Sequence, residues 1–135
     1  MRALIMPVGP DWYAIEMRQV REVVASPMLA SVPTAPPTLL GVFNLRGEIV
    51  PLFDTAALLG LGRVPAPSHA TVVETALGPA GLVASAIPES VELGEQTGTT
   101  EIPGTIGSYT LGTRLATLID VDTLLGPARI GSWGS

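Results

Sequence analysis

Asp54 and Asp120 stand in matched settings that could support chemistry. Pro51 to Ala56 reads PLFDTA, an apolar run closed by Asp-Thr-Ala, and Asp120 opens a second such segment, IDVD. Two carboxylates sharing one proton form the dyad of an aspartic-type hydrolase. The second copy fits that chemistry poorly. Bulky Val121 stands where the motif has Ser or Thr, and Asp122 follows where a small residue is needed. An Asp just before a short helix is also a common N-cap, its carboxylate accepting free backbone N–H groups. Capping is therefore the expectation for Asp54 and Asp120, with the hydrolase dyad as the alternative.

The other reactive residue types stand alone. Asp120 with Asp122 offers oxygen ligands to a divalent cation, but no glycine or further carboxylate follows at calcium-loop spacing. His69, the single histidine, has no serine in a nucleophile motif, and the absence of cysteine removes disulfides, thiolate catalysis and cysteine metal sites. Gly60-Leu61-Gly62-Arg63 and Gly78-Pro79-Ala80-Gly81 lack the Lys-Ser/Thr or the helix entry of a phosphate loop and read as turns. Trp12 is expected to pack in a strand and Trp133 to lie in a Gly/Ser tail. No metal or cofactor site assembles from these residues.

Composition narrows the classes further. The chain has 135 residues, 47% of them hydrophobic and 14% charged; its net charge is −5, and all seven basic residues are arginines. Duplex DNA and anionic membrane surfaces call for clustered cations, so neither is expected as a partner. No apolar run approaches the roughly 20 residues that span a bilayer. The N-terminal MRALIMPVGPDW has no signal-peptide core, and a soluble cytoplasmic protein is expected. So much apolar surface with so little charge points to an exposed face that meets a partner.

Fifteen glycines and thirteen prolines punctuate short apolar runs, the pattern of an all-β chain. Strands are expected at Ala3 to Val8, Trp12 to Glu16 and Val20 to Val24. Ser31 to Pro37, with three prolines, is a loop. Gly41 to Asn44 and Glu48 to Phe53 form a hairpin around Arg46-Gly47, and Gly41 and Gly47 are taken as turn residues. Asp54 caps a helical turn over Thr55 to Leu59. Ala70 to Leu77 and Gly81 to Ala86 are strands around a Gly-Pro turn, and Ile87 to Leu93 is another. Gly94 to Gly107 is expected to be a mobile loop, followed by a hairpin of Tyr109 to Leu111 with Arg114 to Ile119 and a helical turn at Asp120 to Leu125.

The order of elements repeats, and so do residues. A shift of 66 lays NLRGEIVPLFDTAALLG, from Asn44, over TLGTRLATLIDVDTLLG, from Thr110, with six of 17 positions identical. A shift of 67 sets Val20 and Glu22 on Ile87 and Glu89. This predicts one domain over 1–135 made of two barrels side by side, the first over 1–63, the second over 68–128, and a tail at 129–135. Arg46 falls outside the repeat, because Gly112 stands in its place. It is either the exposed tip of a hairpin or, with Glu22, a fixture of an interface, where arginine is enriched.

The stretches YAIEMRQVREVV (Tyr13 to Val24), GVFNLRGEIVPLFD (Gly41 to Asp54), TVVE (Thr71 to Glu74), Tyr109-Thr110-Leu111-Gly112 and LATLIDVDTLL (Leu115 to Leu125) occur in one order. Together they resemble the CheW-like chemotaxis coupling proteins over nearly the whole chain. The resemblance implies two five-stranded SH3-like barrels and a non-enzymatic adaptor. It would join the cytoplasmic helical hairpin of a chemoreceptor to the regulatory domain of a CheA-type histidine kinase. It also implies that Val20, Glu22 and Arg46 face the receptor. The family's second half usually has Val-Asp where this chain has Ala84-Ser85. A hydrolase using Asp54 and Asp120 and a small-ligand barrel remain the alternatives.

Overall fold

The computed structural model describes residues 1–127. Trp133 and the expected tail at 129–135 lie outside the described residues. In chain order the elements are β1 (Arg2–Val8), β2 (Asp11–Glu16), a 3-10 turn (Met17–Gln19), β3 (Val20–Ala25), β4 (Leu39–Leu45), β5 (Glu48–Phe53) and α1 (Thr55–Leu58). Then follow β6 (His69–Thr75), β7 (Gly78–Ala84), β8 (Glu89–Glu92), β9 (Thr105–Leu111), β10 (Arg114–Ile119) and α2 (Val121–Leu124). They build two five-stranded barrels with two short helices, the all-β architecture expected from the sequence.

The strands are not divided between the barrels as the repeat suggests. One sheet runs β8-β1-β2-β10-β9 and the other β3-β6-β7-β5-β4. The terminal barrel therefore joins the start of the chain to its end, and the central barrel holds β3 to β7. The expectation of one barrel over 1–63 and another over 68–128 is corrected. Each repeat gives its first hairpin to one barrel and its last three strands to the other. The repeat itself is real in three dimensions, since the parallel pair Leu118 with Ala14 recurs as Leu52 with Gly81. Parallel neighbours need a long crossover: between β5 and β7 it is α1 and β6 of the same barrel, and between β2 and β10 it runs through the whole central barrel before β8 and β9.

This exchange explains the continuous hydrophobic run of β1. Ala3 and Ile5 enter the core of the terminal barrel, while Met6 and Val8, with Tyr13 and Ile15 of β2, join the larger core shared with the central barrel. A strand buried on both faces shows no polar alternation. Pro7, which suggests an edge strand or bulge, lies in an interior strand. Its partner β8 reaches only as far as Ile5, so no ladder bond is lost there.

Three local expectations change. The β6–β7 turn is Ala76-Leu77, closed by the Thr75 and Gly78 pair, and Gly78-Pro79 begin β7. Much of the expected loop from Gly94 to Gly107 is ordered against β9, which starts at Thr105, with a bridge between Gly98 and Ser108. Gly41 is not a turn residue: it sits at a bulge inside β4, beside a bridge between Ala30 and Val42. A Cβ there would lie 2.7 Å from the Ala30 carbonyl oxygen, so only glycine lets the two backbones approach.

Candidate functional site: the β3 to β4–β5 seam

β3 and β4 are the two edges of the central sheet, and side chains close the gap between them. The connection from β4 to β5 is the two-residue turn Arg46-Gly47, both with positive φ (51° and 88°), which matches the right-handed twist of a hairpin. Asn44 Oδ1 accepts the Gly47 N–H at 2.8 Å and fixes the turn. The turn points the Arg46 guanidinium at Glu22 of β3. Arg46 Nη1 donates to Glu22 Oε1 at 3.0 Å and Nη2 donates to Oε2, a bidentate pair.

A second bridge crosses the same gap on the neighbouring β3 position. Arg21 Nη1 donates to Glu48 Oε1 at 2.7 Å, and its Nε lies 3.4 Å from Glu74 Oε1 of β6. The hydrogen bond from Arg46 holds the Glu22 carboxyl below its ordinary value, against a smaller opposing effect of desolvation. The matching hydrogen bonds raise Arg46 and Arg21 above the ordinary arginine value. The Arg46 side chain is 65% exposed and that of Glu22 27%, so the pair is oriented without being removed from solvent.

Val20 is half-buried and packs against the larger core, as do Val24 and Leu45. The residues that sequence reasoning passed over are Arg21 and Glu48, together with the exposed Val23 and Ile49 beside them. The signal was present: along VREVV and RGE, charges of opposite sign fall on strands that meet at the seam.

The two aspartates do not form a dyad. Asp54 Oδ1 accepts the Ala57 N–H at 2.9 Å, and both of its oxygens accept the Val64 N–H at 3.2 Å. Asp120 accepts the Thr123 N–H at 3.2 Å and the Thr123 hydroxyl at 2.9 Å. Each carboxylate is taken up by its own helix cap and no hydrogen bond links the two. His69 Nδ1 meets the Ser68 hydroxyl at 2.8 Å in front of β6. Ser85, at the Ala84-Ser85 departure, donates to Pro7 O and accepts the Gly9 N–H, tying the end of β7 to the first hairpin. Trp12 lies in β2 with the Arg114 guanidinium 3.7 Å over its ring. Among the described residues no three His, Asp or Glu side chains gather as metal ligands, and no helix is long and apolar enough to cross a membrane.

A protein named "Probable chemotaxis protein CheW" from Rhizobium etli is 33% identical over 67 residues, 49% of this chain and 43% of the relative. The chain thus spans less than half the length of that relative in the matched region. A chemotaxis protein CheW from Klebsiella aerogenes is 28% identical over 134 residues, covering 90% of this chain and 80% of that protein. In fold the chain is similar to the scaffolding protein TtCheW from Thermoanaerobacter tengcongensis, with a TM-score of 0.80 at 22% identity, over 91% of this chain and 86% of the other. The family model for the CheW-like domain matches residues 2–128. With nearly every described residue inside that match, the chain belongs to the CheW-like domain family.

Proposed function

We propose that this chain is a non-enzymatic adaptor of bacterial chemosensory signalling. It couples the cytoplasmic helical hairpin of a chemoreceptor to the regulatory domain of a CheA-type histidine kinase. Val20, Glu22 and Arg46 belong to the receptor side, with Val20 shaping the surface from beneath. The protein works in the cytoplasm, without cofactor or metal, without nucleic acid and without entering the membrane.

The observation that carries this proposal is the bidentate Arg46–Glu22 pair, held on an exposed seam by a fixed turn. An arginine already oriented by a carboxylate loses little freedom when a partner docks on it, which favours a specific contact. Catalysis has no comparable support, because both aspartates serve as caps.

The test is reconstitution. Receptor fragments in an ordered array should retain the kinase regulatory domain only when this protein is present, in co-sedimentation. Retention that is the same without it would contradict coupling. Proteolytic activity of the purified chain that disappears in Asp54→Asn would restore the hydrolase alternative.

A further inference from the structure

Arg21 occupies an irregular place in β3. Val20 pairs with Val73 of β6 and Glu22 pairs with Val72, so two steps along β3 answer one step along β6. Arg21 is therefore the extra residue of a β-bulge. Successive side chains of a regular strand point to opposite faces, and a bulge breaks that alternation and re-aims a side chain. Here the adjacent Arg21 and Glu22 both reach the β4–β5 hairpin, Arg21 at Glu48 and Glu22 at Arg46. The Arg21 guanidinium is held from two sides, with Glu48 Oε1 2.7 Å from Nη1 and Glu74 Oε1 of β6 3.4 Å from Nε.

This placement bears on which carboxylate Arg46 takes. Glu48 follows the Arg46-Gly47 turn on the same hairpin, and its charge already favours the Arg46 cation. Arg46 thus has two carboxylates within electrostatic reach, Glu22 across the seam and Glu48 beside its own turn. A bond to Glu48 would fold the guanidinium back on its hairpin and leave that part of the gap between β3 and β4 unbridged. Exposed ion pairs are each worth little, so such a pairing is decided by which carboxylate is free. Arg21 takes up Glu48 with a hydrogen bond. Arg21 and Arg46 also repel one another, which favours separate carboxylates for the two guanidinium groups.

We propose that Arg21 is a positioning residue for the seam: by holding Glu48 it leaves Glu22 as the partner of Arg46, and so keeps the Arg46 guanidinium aimed across the gap. Arg21 acts through Glu48 and needs no contact with a docked partner. The consequence for binding rests on the reading of this seam as the receptor side. The positioning itself is read in the free protein, so the two can fail separately.

The test is a double-mutant cycle of Arg21→Gln and Glu48→Gln in the full-length protein, with the Glu22 titration midpoint followed by carbon-detected NMR. With Arg21 present, Glu48→Gln should leave that midpoint nearly unchanged. Arg21→Gln alone should raise it toward the ordinary carboxylate value, because Glu48 is released to compete for Arg46. The double variant should bring it most of the way back down. Glu48→Gln lowering the midpoint equally in both backgrounds would reduce the effect to a sum of charges and overturn the proposal. So would a low midpoint retained in Arg21→Gln, which would show that Glu22 holds Arg46 unaided. A single hydrogen bond joins Arg21 to Glu48, so Arg21→Lys should keep the midpoint low, and a Lys variant as perturbed as the Gln variant would contradict the assignment. In calorimetry with a receptor cytoplasmic hairpin, Arg21→Gln should weaken binding about threefold, the scale of an exposed ion pair, and the double variant should recover it. Affinity lost in Arg21→Gln and not recovered in the double variant would make Arg21 a direct contact and overturn the positioning role. Should Arg46→Gly leave receptor affinity unchanged, the receptor reading falls, while the midpoint cycle still decides the role of Arg21.

Discussion

Arg46 holds a left-handed backbone (φ 51°) that glycine adopts at the equivalent Gly112 (φ 60°). Arginine at such a position is disfavoured locally, and its presence there fits a role for the side chain. That role leaves a signature on Glu22. The carboxyl is held below 4.5 first by the Arg46 hydrogen bond. A carboxyl with a lowered folded-state value contributes its stabilisation in full above the unfolded value and loses it as pH falls through the folded one. The pair should therefore stay intact throughout the neutral range and break only in acid. A carbon-detected NMR titration should place the Glu22 midpoint below 4.5 and move it back up in Arg46→Gly. The two aspartates, alike in sequence, should differ in cost. Asp54 is 2% exposed and also holds the Val64 N–H. Asp54→Ala should cost about 2–3 kcal/mol in chemical denaturation, against about 1 kcal/mol for Asp120→Ala, which loses mainly a cap. The caps were legible from Asp54 and Asp120 alone. The Arg46–Glu22 contact was not, because the two residues are far apart in sequence and meet only through the closure of the barrel.

At the scale of elements, the sequence was clearest where apolar spacing and turn chemistry agreed, as from Glu48 through Asp54 into α1. It was least clear where small residues take buried positions. In β9 the buried positions are Gly107 and Tyr109, and a glycine gives no hydrophobic signal, so the strand was expected only from Tyr109 and its start, Thr105 to Gly107, was taken for loop. The β6–β7 turn was misplaced because Ala76-Leu77 carry none of the usual turn residues, while Gly78-Pro79 do. Gly41 was legible as a glycine requirement but not as a bulge, since the backbone that crowds it belongs to Ala30. Gly41→Ala should push the Ala30 carbonyl away and break its bridge to Val42, costing about 1–3 kcal/mol. Hydrogen exchange should show the loss of protection concentrated at Ala30 and Val42.

The whole molecule is a duplication whose halves have exchanged strands. The repeat could be read in the sequence because identities persist at a nearly constant offset. The exchange could not, since two copies with the same pattern leave open which copy's strands pair. Each barrel depends on both halves, and the larger core draws Met6, Tyr13 and Ile15 together with Ile119 and Leu124. A fragment of residues 1–63 should therefore be unfolded by NMR, as should 68–127, while an equimolar mixture regains the dispersed spectrum. Either fragment folding alone would contradict the exchanged topology.

The most direct test of the adaptor is calorimetric titration of a receptor cytoplasmic hairpin into the wild-type protein and into Arg46→Gly. Glycine suits the backbone at this turn, so the thermal midpoint should move by no more than about 3 °C. The dissociation constant should rise on the order of ten- to hundredfold, the range for loss of a charged interface contact. Unchanged affinity in a folded Arg46→Gly protein would contradict the assignment of this seam to the receptor.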